Sequence, residues 1–225
     1  FSSPVLLQSP DGVGSIDTTA SLWESGSDMA GAIRMVAGAD ISVDDISVNP
    51  FVFADGADFP VRALVGGDII LEAGRNINVL GLLDAASEGS AGSDQGGNIV
   101  LDAARTIGLG DDAILNVSSF SDSGASGDAG TLSLTAGRNT ISNGLMLAGS
   151  DAFGGASGDG GSIELTAVNR IDLFEDLSTE STAEGEHRAG NGGDIRVDAG
   201  GAITIEGVLD TSANSGREVS GNGGT

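Results

Sequence analysis

One short pattern recurs through most of this chain, and its spacing restricts the fold more than any other feature. The fullest copy is Gly192–Gly207, G-G-D-I-R-V-D-A-G-G-A-I-T-I-E-G. Earlier copies are Ala30–Gly38 (A-G-A-I-R-M-V-A-G), Gly66–Gly74 (G-G-D-I-I-L-E-A-G), Gly96–Ala104 (G-G-N-I-V-L-D-A-A), Ala129–Gly137 (A-G-T-L-S-L-T-A-G) and Gly160–Val168 (G-G-S-I-E-L-T-A-V). With the second small residue of each pair as a marker, the positions are Gly31, Gly67, Gly97, Gly130, Gly161, Gly193 and Gly224, in steps of 36, 30, 33, 31, 32 and 31. A sustained period of this size means that each unit buries its apolar face by stacking on copies of itself.

Inside each copy, apolar residues stand two, four and six positions after the marker, as in Ile163, Leu165 and Ala167. Such alternation marks a strand with one buried face. A second short strand follows a tight turn (Ile77/Val79, Ile107/Leu109, Ile171/Leu173), and after a corner an apolar pair opens a third (Leu82-Leu83, Ile114-Leu115, Leu145-Met146, Val208-Leu209). The rest of each unit is rich in Gly, Ser and Asp and reads as a connecting loop. Three strands and three corners predict one rung of an all-β, right-handed parallel β-helix, with about six rungs of about 31 residues between 30 and 225. Residues 1–29 read as an irregular start or a degenerate first rung. The first clear rung carries an aromatic insertion at 49–60. A leucine-rich repeat needs a different apolar spacing and commonly a helix, a propeller blade a longer period, and a left-handed β-helix a hexapeptide.

Composition limits what such a rod can do. Thirty-eight glycines without a three-residue period exclude collagen, and the absence of cysteine excludes disulfides and thiolate metal sites. All nine positive residues are Arg, against 33 acidic ones, for a net charge of −24. That balance argues against nucleic acid or an anionic membrane as partner and suits saline, divalent-rich surroundings. No apolar run is long enough to span a membrane, so no membrane insertion is expected. The chain opens at Phe1 without a signal segment and stops inside a repeat at Gly223-Gly224-Thr225, and it therefore reads as a piece of a longer polypeptide.

Few residues invite a chemical role. Phe51, Phe53 and Phe59 in the insertion read as a lid folded onto the barrel or as an exposed ligand patch, and Phe120 and Phe153 stand in the long connections. Asp128 and Asp159, each two residues before a marker, belong to a row with Gln95, Asn191 and Asn222. That row reads as a stacked turn ladder, with Ca²⁺ held between the two carboxylates as the alternative. Arg75, Arg105, Arg138 and Arg170 recur at the first turn, where Glu72 and Asp102 are expected to neutralise the arginine of their own rung. His187, beside Glu184 and Glu186, reads as a solvated loop. Asp111-Asp112 resembles the paired acids of β-helical polysaccharide hydrolases, but no His or cationic cluster lies near it, so no catalytic residue and no cofactor is expected.

Taken together, A-G-A-I-R-M-V-A-G-A-D-I-S-V-D at Ala30–Asp44, G-N-G-G-D-I at Gly190–Ile195 and the G-N-G-G of 221–224 resemble large secreted exoproteins of the filamentous haemagglutinin type, exported by two-partner secretion. The likeness covers about Ala30–Thr225. It implies a β-helical shaft, passage to a bacterial cell surface, and adhesion or filament formation through self, another surface protein, or a host or matrix glycan. The family's amino-terminal secretion domain with N-P-N-type motifs has no counterpart here beyond Asn49-Pro50. The expected function is thus a structural or adhesive shaft, with a glycan- or Ca²⁺-binding module as the alternative and a polysaccharide-degrading enzyme behind both. The expected location is extracellular or at the cell surface.

Overall fold

Alternation places Ile69, Leu71 and Ala73 on one side of their strand, and the only apolar surface within reach is the same row of the next copy. A computed structural model shows that this is how the chain folds: an all-β solenoid of parallel strands, described at residues 5–8, 16–17, 30–50, 65–216 and 220–225. Ile33, Ile69, Ile99, Leu132, Ile163 and Ile195 are successive partners in one parallel ladder. From Ile33 to Ile163 they are at most 1% exposed, and Ile195 packs partly buried against the same core. Val5–Gln8 pairs with Ile33–Val36, and Ile16–Asp17 with Ile46–Ser47, so strands from the first 29 residues stack in the same register.

Each complete rung has four strands, one more than the alternation of apolar residues reveals. In the fourth rung they are Thr131–Ala136, Asn139–Ser142, Leu145–Leu147 and Ser150–Ala152. Stacking these across rungs gives four parallel sheets of seven, six, seven and five strands, numbered here in the order in which a rung visits them. The extra strand runs through the Gly/Ser/Asp-rich stretch. Its inward residues are Ser87, Ser119, Ser150 and Ser181, all completely buried, and one rung later the same position is Ala213. Among the described residues no helix is long and apolar enough to cross a membrane.

The marker glycines have a steric reason. A Cβ on Gly97, Gly130, Gly161 or Gly193 would overlap the carbonyl oxygen of the marker one rung earlier. The corner is where successive backbones approach most closely, and only glycine permits that. The buried serines solve a second packing problem, because a polar core group needs a partner. Ser119 Oγ meets Ser93 Oγ at 2.7 Å, Ser150 meets Ser126 at 2.9 Å, and Ser181 meets Ser157 at 2.8 Å. Ser119, Ser150 and Ser181 also donate to the carbonyls of Asp94, Gly127 and Gly158. In the next rung both positions become alanine together, Ala189 and Ala213, with the same separation of 24 residues as Ser126–Ser150 and Ser157–Ser181.

Candidate functional site

Between the third and fourth sheets the chain turns through a corner whose first residue caps the backbone two positions on. Asp84 accepts from the Ala86 N–H, Asn116 from Ser118, and Asp210 from Ser212. These are Asx turns, which fix the direction of the strand that follows. Because that strand is pleated, the residue after each buried serine faces outward. Stacking then builds one external column of Glu88, Phe120, Asp151, Thr182 and Asn214.

Phe153, two residues beyond Asp151, is 47% exposed and meets Phe120 edge to face, with ring centroids 5.4 Å apart and planes at 77°. Beside this pair runs a groove of about 400 Å³, bordered by Phe120, Asp151, Phe153, Glu180, Thr182 and Asn214, with Ala152 at its edge. Two carboxylates share that small space. Burial pushes Asp151 up to about 6, with the charge of Glu180 adding to the effect and a hydrogen bond from Thr182 opposing it. Glu180 is raised by burial and then by Asp210. Two rungs from Asp151, the same face holds Asp84 and Glu88. Burial raises Asp84 against hydrogen bonds from the Ala86 N–H, Asn49 and Asn116, and Glu88 is raised by burial and by Asp84. The groove therefore offers an apolar wall, hydrogen-bond acceptors and a concentration of negative charge, with no cation among its bordering residues.

Of the residues singled out from the sequence, the structure brings Phe120 and Phe153 together. Their separation of 33 residues is the 31-residue step from Phe120 to its ladder partner Asp151 plus two, so the repeat puts them one rung apart on the same face. Asp151 and Glu180 complete the groove and carried no signal of their own. Phe51, Phe53 and Phe59 lie outside the described residues. Asp128 and Asp159 belong to a hydrogen-bonded turn ladder. Asp128 Oδ1 accepts the Asp159 N–H at 2.8 Å, Asp159 Oδ1 accepts from Asn191 at 2.7 Å, and Asn191 Oδ1 accepts the Asn222 N–H at 3.0 Å. Among the described residues no group of three or more His, Cys, Asp or Glu is placed to hold a metal ion. Asp111 and Asp112 are exposed at the corner between the second and third strands, where Asp111 accepts from the Asn143 amide at 2.7 Å. His187 is exposed in the connection before Gly193.

The expected pairing of Glu72 with Arg75 of its own rung is incorrect. Glu72 takes both its hydrogen bonds from Arg34, one rung earlier, and Arg75 reaches back to Asp40 at 2.6 Å. Stacked rungs bring the same position of neighbouring copies within about 4.8 Å, closer than residues on either side of a corner. Pairing within a rung occurs along a strand instead, at Arg170–Asp172 and Arg196–Asp198.

No family model, curated protein or solved structure matches this chain.

Proposed function

We propose that this chain is a structural or adhesive shaft segment of a secreted cell-surface exoprotein, a rod that gives length and acts without catalysis. The observation that carries this reading is the unbroken four-sheet stack, in which every ladder connects a rung to its immediate neighbours. Length is then proportional to the number of rungs, and loops can vary without disturbing the rod. The outward polar rows are largely engaged in joining rungs, as the ladder from Asp128 to Asn222 and the bonds from Asn98 to Asp68 illustrate. An acidic, lysine-free and cysteine-free surface supports an exposed life in saline, divalent-rich surroundings. The likeness of the rung motifs to filamentous haemagglutinin-type exoproteins points the same way.

A second reading has one specific observation in its favour. Aromatic and carboxylate side chains do converge on one face, at Phe120, Phe153, Asp151 and Glu180, as a ligand-binding module requires. A surface-anchored fusion carrying this chain separates the two. Removing residues 98–161 deletes two rungs in register and takes the aromatic pair with them. The shaft reading expects a lower surface profile with adhesion to the target surface kept. Loss of adhesion from the shortened but folded rod would assign the activity to the deleted face and overturn the shaft reading.

A further inference from the structure

Most glycines of this solenoid are imposed by close stacking, but Gly149 is not. A Cβ on Gly149 would meet Glu180 Cγ at 3.7 Å and Asp151 Oδ2 at 3.8 Å, ordinary contacts, and the Glu180 carbonyl oxygen at 3.3 Å, a tight one that a small shift relieves. Its φ is not positive, since among the described residues only Gly92 and Gly185 have that conformation. Other rungs fill the same corner position with Asn49, Ala86, Ser118, Glu180 and Ser212. The backbone does not demand glycine here, the packing asks for only a small adjustment, and the missing side chain leaves space beside the two carboxylates that border the groove.

Among the described residues those carboxylates have no ion-pair partner. No arginine among them borders the groove, and Asp210 adds to the negative charge behind Glu180. The wall opposite is the edge-to-face pair Phe120–Phe153, with Phe153 half exposed. A neutral sugar stacked on that wall would leave the mutual repulsion of Asp151 and Glu180 in place. A bare divalent ion would be offered two carboxylates but would gain nothing from the apolar wall. An ammonium or guanidinium on an aliphatic chain uses every part, with its charge between the carboxylates and its methylenes on the aromatic rings.

We propose that the groove bordered by Phe120, Phe153, Asp151 and Glu180, with Gly149 beside its two carboxylates, is a binding site for a small organic cation, an alkylammonium or alkylguanidinium. The site deepens the binding-module reading and is compatible with a shaft that carries it. Calorimetric titration of the whole chain at pH 7.5 and moderate salt tests it with two cationic probes, 1,4-diaminobutane and a capped Gly-Arg-Gly peptide. One saturable site is expected for at least one of them. Tighter binding of the diamine assigns the site to free amines, and tighter binding of the peptide to a protein side chain. Phe153→Ala and Asp151→Asn should each weaken binding at least tenfold, and Gly149→Val should abolish it. Phe174→Ala, which removes an exposed phenylalanine after the second strand of its rung, should leave it unchanged. If Gly149→Val impairs folding, Gly149→Ala serves in its place, since a methyl group asks only a small shift of the Glu180 carbonyl, and a severalfold loss is expected. Absence of saturable binding by both probes would overturn the proposal. So would binding undiminished by Asp151→Asn and Phe153→Ala, which is diffuse attraction to the net charge, or tighter binding of a neutral oligosaccharide or of Ca²⁺ than of either cation.

Discussion

The first and fourth sheets of this solenoid have the same parallel stacking and opposite chemistry. The first is lined inside by Ile, Leu, Met, Val and Ala, buried throughout the central rungs. The fourth is lined by serines that bond to one another and to backbone carbonyls, and its outer surface gathers the aromatic pair and the partly desolvated carboxylates. The difference teaches that rung stacking requires satisfied inward groups rather than apolar ones. Area burial holds the first sheet together without direction, whereas the serine pairs work only when both partners are in place. A narrow wall lined by small side chains is also where the outer face is free to differ from rung to rung.

The sharpest way to break the comparison is to place a charge in the first sheet. Leu165→Asp puts an unpaired carboxylate at a completely buried position and should cost at least about 4 kcal/mol in a denaturant titration. A substitution on the outer face of the fourth sheet should act in the opposite direction. The fold holds the Asp151 carboxyl at about 6, above the ordinary value of 3.8, so folding favours its protonated form. That contribution is fully present below about 3.8 and is lost as pH rises through 6, and Glu180 and Glu88 shift in the same sense. Stability should therefore fall between pH 4.5 and 7. Asp151→Asn should recover about 2 kcal/mol at pH 7 and little at pH 4.5, the figure being reduced for partial exposure.

Inside the fourth sheet the effects are smaller and coupled. Ser150→Ala strands Ser126 and the Gly127 carbonyl and should cost about 1–2 kcal/mol. Adding Ser126→Ala to that variant should then cost nothing more, although alone it destabilises. A double-mutant cycle by thermal melting reads this, and additive effects would deny that the hydroxyls act as pairs. Thr140 sharpens the same point from the second sheet. It replaces an isoleucine of the inward column between Ile107 and Ile171, and its buried hydroxyl has no partner. Thr140→Val should raise stability by about 1 kcal/mol by removing a buried unpaired group of the same shape.

What was legible in the sequence follows from this chemistry. The ladder from Ile33 to Ile195 announces itself because burial there is apolar and the strand period is two. The fourth strand is silent to that test, since Ser119-Phe120-Ser121 puts its large residue outside and its small polar ones inside. Its signal was the recurrence of Ser87, Ser119, Ser150 and Ser181 at about one period, together with the turn formers Asp84, Asn116 and Asp210 just before. Phe120 and Phe153 stood out together in the long connections, while Asp151 and Glu180 were hidden among 33 acids, because desolvation depends on neighbours one rung away. Glu72 and Arg75 did not pair for the same reason, as each finds its partner in the adjacent rung.

Each rung adds its own length to the rod, and the absence of cysteine makes that directly measurable. Val36→Cys and Asp198→Cys place nitroxide labels on one outward column, five ladder steps apart through Glu72, Asp102, Thr135 and Thr166. Pulsed electron paramagnetic resonance should give a separation near 24 Å. Tandem duplication of residues 98–161 inserts two rungs and should move a narrow peak outward by about 10 Å. An unchanged distance, or a broad distribution after duplication, would contradict the account.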